Sequence, residues 1–260
     1  MGLVARCIAY LTAVFMVLPT AIVVTTSFST TRFISFPPVG FSLDWYRVLL
    51  EDVDFQRAFV VSVEVAALAA LTATVLAIGA ALALERFQFP GHAAVSAALL
   101  GPLMVPGVAL AIGMLFFLTA IGLIDGLLGL VIAHSVVVFP FALRVLLSAM
   151  AGVREEFERC AAVLGASPLM VLRRVTLPLM APGLAAAALL SSIISFNNFS
   201  ITVFIAGPTT QTLPLVIFAR TQFTATPELS AAATVLLLAS IVLIWALDRL
   251  FGVQSVLGRA

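Results

Sequence analysis

No lysine occurs anywhere in this 260-residue chain; all 13 positive charges are arginines. A P-loop ATPase needs a lysine on the nucleotide phosphates, so the chain supplies no such site. If its work requires ATP, another subunit hydrolyses it. Charge of either sign is scarce, at 10% of residues with a net value of +1, which excludes a nucleic-acid-binding surface. The two cysteines, Cys7 and Cys160, are too few for a disulfide framework and read as free thiols. No Gly-x-Ser-x-Gly motif, Ser/His/Asp constellation, His/Cys/Asp/Glu cluster of metal-ligand spacing or pair of intramembrane carboxylates is present. No catalytic residue, metal or cofactor is therefore expected.

Apolar residues are what remains, 63% of the chain. Six runs approach the roughly 20 residues that span a bilayer core: Cys7–Phe28, Ala58–Leu84, Val95–Ala120, Leu127–Met150, Gly183–Ala206 and Ser230–Phe251. Runs of this length satisfy their backbone groups as helices. The fold class expected is all-α, one integral membrane domain over residues 1–260 with six transmembrane helices. The first run is longer than a signal-peptide core and is read as a retained anchor.

Arginine placement sets the orientation. Arg6, Arg86, Arg144, Arg154, Arg159, Arg173, Arg174, Arg249 and Arg259 fall on one side; Arg32, Arg47, Arg57 and Arg220 fall on the other. The richer side is expected to be cytoplasmic, together with both termini. Outside, Phe36-Pro-Pro-Val-Gly breaks the first external segment, and Leu43-Asp-Trp-Tyr suggests a short surface helix with aromatic interface anchors. The stretch Leu213–Thr224 reads as a re-entrant or surface helix, and Thr226-Pro227-Glu228 as a helix start.

Polar residues inside the spans are few. Glu64 is either functional or placed in the outer headgroup region. Gly101-Pro102 and Pro106-Gly107 interrupt the third span, as a packing kink or beside a cavity. His134 either completes an interhelical hydrogen bond or acts as a ligand. Ser195, Asn197 and Asn198 make the densest polar cluster of any span. On a helix adjacent amides point about 100° apart, so one serves as glue while the other meets a path. His134, Ser195, Asn197 and Asn198 are the candidates for a translocation path.

One long polar stretch, about residues 152–182, separates the fourth and fifth spans. Phe157, Ala161 and Leu164 recur at helical spacing. Gly165 can end that helix with positive φ, Ser167 caps a second one, and Pro168 occupies its first position. Pro178 and Pro182 are expected to close it. A helix, a glycine turn and a second helix at the membrane face suit docking of a partner.

This stretch resembles the "EAA" loop of binding-protein-dependent ABC importer permeases. That pattern runs Glu-Ala-Ala, three residues, Gly, nine residues, an apolar residue, any residue, Leu-Pro. Gly165 and Val175-Thr176-Leu177-Pro178 match it. Arg159-Cys160-Ala161 stands at the triplet, with Arg159 in place of the family's Glu and Glu158 one position earlier. Glu85-Arg-Phe-Gln-Phe-Pro-Gly, Pro102-Leu-Met-Val-Pro-Gly, Ala133-His134-Ser135, Phe139-Pro140, Ser195-Phe-Asn-Asn, Gly207-Pro208 and Thr212-Leu-Pro-Leu extend the likeness, in particular to its spermidine/putrescine-type branch.

The resemblance implies a multi-pass permease of the bacterial inner membrane. Its implied partners are P-loop ATPase subunits, a second permease of different sequence, an external solute-binding protein and membrane lipid. It also implies an ATPase-coupling loop carried by Phe157, Glu158, Arg159, Ala161, Leu164, Gly165, Ala166, Ser167, Pro168, Val175, Leu177 and Pro178. Polyamine-type members carry acids after Ser-Phe in the fifth helix, where Asn197 and Asn198 stand here. Other solutes (opine, phosphonate, thiamine, ferric iron) and, in a different class, ion-coupled secondary transport remain the alternatives.

Overall fold

The computed structural model describes residues 3–223 and 226–251. Arg259 and Thr224 lie outside them. The described residues form helices and connections without a strand; a lone bridge pairs Ser29 with Phe41. Among the described residues four helices are long and apolar enough to cross a membrane, and two bent helix pairs raise the number to six if each pair is one crossing.

The chain divides into two units, Met1–Val60 with Thr212–Ala239, and Val61–Gln211 with Ser240–Ala260. The first unit carries α1 (Leu3–Thr26), α2 (Asp44–Glu51) and α11 (Leu213–Thr221). It also holds the opening turns of α3 (Val53–Arg86) and the first half of α12 (Pro227–Phe251). Its core gathers Leu49, Phe55, Leu213, Ala231 and Ala232, with Trp45 and Tyr46 packed against them. The two aromatics, expected as interface anchors, use their polar ends within the unit. Trp45 donates to Ser29 O at 2.8 Å, and the Tyr46 and Ser27 hydroxyls are 2.6 Å apart.

Asp52 starts α3 by accepting from the amides of Asp54 (2.9 Å) and Phe55 (3.0 Å). Its other oxygen meets Arg220 at 2.5 Å, and Arg220 also reaches Glu228 at 2.8 Å. Burial works against the Asp52 charge, but the Phe55 amide, the guanidinium and the Asp54 amide outweigh it and hold the carboxyl below its ordinary value. The expected start of the last helix is observed at Pro227, and its acid, Glu228, is the one that pairs with Arg220.

The second unit is built on α3, α6 (Leu127–Ala151) and α9 (Ala181–Phe196). Lipid is as apolar as leucine, so helices associate there through close packing rather than hydrophobic transfer. The buried stripe of α3 is accordingly rich in small residues, Ala66, Ala69, Ala70, Ala73, Ala77 and Ala81, with Val61, Val65 and Leu84 beside them. Ala77 and Ala81 pack with Leu143, Leu146 and Met150 of α6 and Ala187 of α9.

The third expected span is broken. It consists of α4 (His92–Leu100), a tight turn Gly101–Leu103 and α5 (Gly107–Ala120), bent by 102°. Pro102 and Pro106 lack the amide that would carry the ladder through. The polar stretch forms α7 (Glu155–Val163) and α8 (Pro168–Leu179), and α8 meets α9 at 71°. A four-residue helix, α10 (Thr202–Ile205), follows the end of α9 and stops before Gly207-Pro208.

Candidate functional site: an elbow and a broken helix

The turn between α7 and α8 is closed by backbone alone. Gly165 has φ +87°, its amide donates to Ala162 O at 2.9 Å, and the Ala166 amide donates to Ala161 O at 3.1 Å. This pair of bonds is the Schellman arrangement that favours glycine. Ser167 then caps α8, accepting from the Met170 amide, with Pro168 at the first position as its spacing predicts.

The second helix ends between Pro178 and Pro182, one residue past the first of them. The helix widens over Leu172–Thr176 into a π turn ahead of Pro178 and ends at Leu179. A proline ring clashes with the carbonyl four residues back, and the wider turn relieves that clash.

The elbow presents apolar side chains outward. Leu164 is 87% exposed, Phe157 50% and Leu169 55%, while Arg154 lies 6.0 Å over the Phe157 ring. Ala161 and Ala166 are half-buried, and Val175 and Leu177 are half-buried on α8. Phe157 and Leu164 are exposed, and Ala161 between them is half-buried.

The inward side of α7 belongs to Glu158. Its Oε2 accepts from Arg86 Nε at 2.8 Å, and its Oε1 accepts from the Thr176 hydroxyl at 2.7 Å. Arg86 also donates from Nη2 to Val153 O at 2.9 Å. Arg159, at the triplet position, pairs with Glu155 on the exposed surface at 2.5 Å. Exposed pairs of this kind contribute little.

The second cluster lies where α9 stops. The continuous helix expected through Asn197 and Asn198 is not observed; Phe196 is its last residue, and both amides sit in the break. Asn197 is exposed and donates from Nδ2 to Ile193 O at 3.0 Å and to Ser240 Oγ at 3.2 Å. Asn198 closes the turn ahead of α10, its Oδ1 accepting from the Ile201 amide at 3.0 Å.

His134 is buried behind the break, with Nδ1 2.9 Å from Ser195 Oγ and Nε2 3.0 Å from Thr202 Oγ1. The Thr202 hydroxyl gives its proton to Asn198 O at 2.8 Å, so it accepts from His134. The proton of the neutral ring is then on Nε2, and Nδ1 accepts from Ser195. Both ring nitrogens are engaged within the protein, the interhelical hydrogen-bond reading of this residue.

Arg86, Thr176, Thr202 and Ser240 complete these clusters, and none of them is among the site residues expected from the sequence. Each is an ordinary residue of its helix until a distant chain segment is packed beside it. Among the described residues no group of His, Cys, Asp and Glu is placed to hold a metal.

Residues 73–254 match the family described as binding-protein-dependent transport system inner membrane component. The chain belongs to this family. As such an inner membrane component it is a multi-pass ABC importer permease. It is 32% identical over 230 residues to the spermidine/putrescine transport system permease protein PotC of Haemophilus influenzae, covering 88% of this chain and 89% of that one. It is 30% identical over 230 residues to the putrescine transport system permease protein PotI of Escherichia coli K12, covering 86% and 82%. In fold, this inner membrane component is similar to the crystal structure of a bacterial ABC transporter involved in import of the acidic polysaccharide alginate. The TM-score is 0.73 at 18% identity, over 96% of this chain and 95% of that one.

Proposed function

We propose that this permease passes a small organic cation of the polyamine class across the inner membrane, driven by a separate ATPase that docks on the elbow. The observation that carries the docking is the exposed apolar set Phe157, Leu164 and Leu169 on a helix–turn–helix whose other side is tied down by polar bonds. An amphipathic helix offered in this way fits a partner's groove. The coupling role is assigned to the loop residues named above, with Glu158 rather than Arg159 as its working acid. Hydrolysis belongs to the partner, since the chain has no lysine for a phosphate-binding loop.

The arginine asymmetry supports a cytoplasmic elbow and cytoplasmic termini. A second permease of different sequence and an external solute-binding protein complete the assembly. The translocation path is assigned to the break after α9. There Asn197 presents an amide beside Ser240, while His134 and Ser195 behind them hold the break in shape. An amide oxygen and a hydroxyl accept hydrogen bonds from an ammonium group without a carboxylate. The polyamine assignment rests on the two relatives whose names carry that solute.

The test is uptake of radiolabelled putrescine and spermidine by the complete importer in proteoliposomes. ATP-dependent uptake is expected. Uptake driven by an ion gradient without ATP would sink the ATPase-driven reading. ATP-dependent uptake of other solutes only would sink the polyamine class alone.

A further inference from the structure

No residue from 155 to 171 is fully buried, and among the apolar side chains of that stretch Ala161, Ala166 and Val171 alone are half-buried. The attachment includes polar bonds, and these converge on one side chain. Arg86 is the last residue of α3. Its guanidinium reaches Glu158 on α7 and Val153 O just before α7, and the Glu158 carboxylate continues to Thr176 in the π turn of α8. The Arg86 and Glu158 side chains are only 15% and 16% exposed, where charge-assisted bonds are strong and salt screens them less. The last turns of α3 are seated by Ala77, Ala81 and Leu84 against Leu146 and Met150. A push on the elbow therefore meets a helix end that is already packed.

We propose that Arg86 is the positioning residue through which movement of the elbow is delivered to α3 during ATP-driven transport. The proposal rests on the docking of an ATPase at the elbow. Its chemistry is the fork of the guanidinium: one planar group takes two acceptors on different stretches of chain, Val153 O and Glu158. A lysine at this position keeps the charge but is a single point of attachment.

The measurement is solute transported per ATP hydrolysed, in proteoliposomes containing the complete importer. Arg86→Gln is expected to leave the ATPase copurifying but to lower this ratio about tenfold, the scale of a typical coupling free energy between sites. Arg86→Lys is expected to fall between that variant and the unaltered protein. The Arg86→Gln, Glu158→Gln double variant is expected to be no worse than Arg86→Gln alone, because the two residues act as one unit. Should Arg86→Gln fail to accumulate, Arg86→Lys and Thr176→Val carry the same reading.

A ratio equal to that of the unaltered protein, with the ATPase retained, overturns the role of Arg86 and leaves the docking standing. Multiplying losses in the double variant overturn it too. An unaltered chain that does not retain any ATPase overturns the docking, and this proposal with it.

Discussion

His134 accepts a hydrogen bond from the Ser195 hydroxyl at 2.9 Å across 61 residues of sequence, and through its other nitrogen it reaches Thr202. The ring joins the body of α6 to the end of α9 and the start of α10. Substituting it with leucine leaves two buried hydroxyls without this partner. His134→Leu should destabilise the permease by about 1–2 kcal/mol, the range of interhelical hydrogen bonds in membranes. Denaturant titration in detergent, followed by the far-ultraviolet helix signal, checks this; stability equal to the parent would mean the ring is only packing.

Gly165 stands at φ +87°, where a β-branched residue is strained whatever space surrounds it. A Cβ at this position would meet nothing within 4 Å, so crowding is not the obstacle. Gly165→Val should distort the elbow at a cost of about 1–3 kcal/mol and uncouple ATP hydrolysis from uptake. Gly165→Asn, which tolerates the left-handed region, should keep most uptake. Normal uptake by the valine variant would count strongly against the docking.

The two asparagines are predicted to separate. Asn197 is exposed in the break, so Asn197→Leu should reduce uptake while leaving the unfolding midpoint near that of the parent. Asn198 closes the turn ahead of α10 by accepting from the Ile201 amide, so Asn198→Leu should lose about 1 kcal/mol of stability, the ordinary net value of one hydrogen bond. Full transport by the double leucine variant would leave this break a packing feature and no more.

The Asp52–Arg220–Glu228 cluster gives a pH dependence with a definite sign. The Asp52 carboxyl is held below its ordinary value of 3.8 in the folded protein, so its contribution is present above that value. It is lost as pH falls through the lower folded-state value. The stability difference between the parent and Asp52→Asn should be constant near neutrality and shrink on acidification below about pH 4. Thermal unfolding at stepped pH measures it, and a difference that grows towards acid would contradict the assignment.

How much of this was legible in the sequence depends on range. The apolar runs, the Gly165 turn, the Ser167-Pro168 start and the Pro227 start are decided by neighbours within one helical turn. Each can be read from residue type and spacing; the turn and both helix starts are observed, and of the described runs four are long apolar helices while the third and fifth expected spans are broken. The fate of Asn197 and Asn198 was not legible, because nothing in their composition says that α9 stops at Phe196. Nor was the widened turn ahead of Pro178.

By itself, then, the sequence determined that this protein is a bundle of membrane-crossing helices with one structured polar elbow, and that it carries no lysine for nucleotide chemistry. Bilayer thickness and backbone hydrogen bonding leave little else for such runs to do. Only the tertiary structure decided which acid ties the elbow down. Glu158 and Arg159 are neighbours in the chain, about 100° apart on α7. Packing turned Glu158 inward to Arg86, 72 residues earlier, and left Arg159 on the surface. No local rule distinguishes the two, because the distinction is made by a helix end that arrives from elsewhere in the fold.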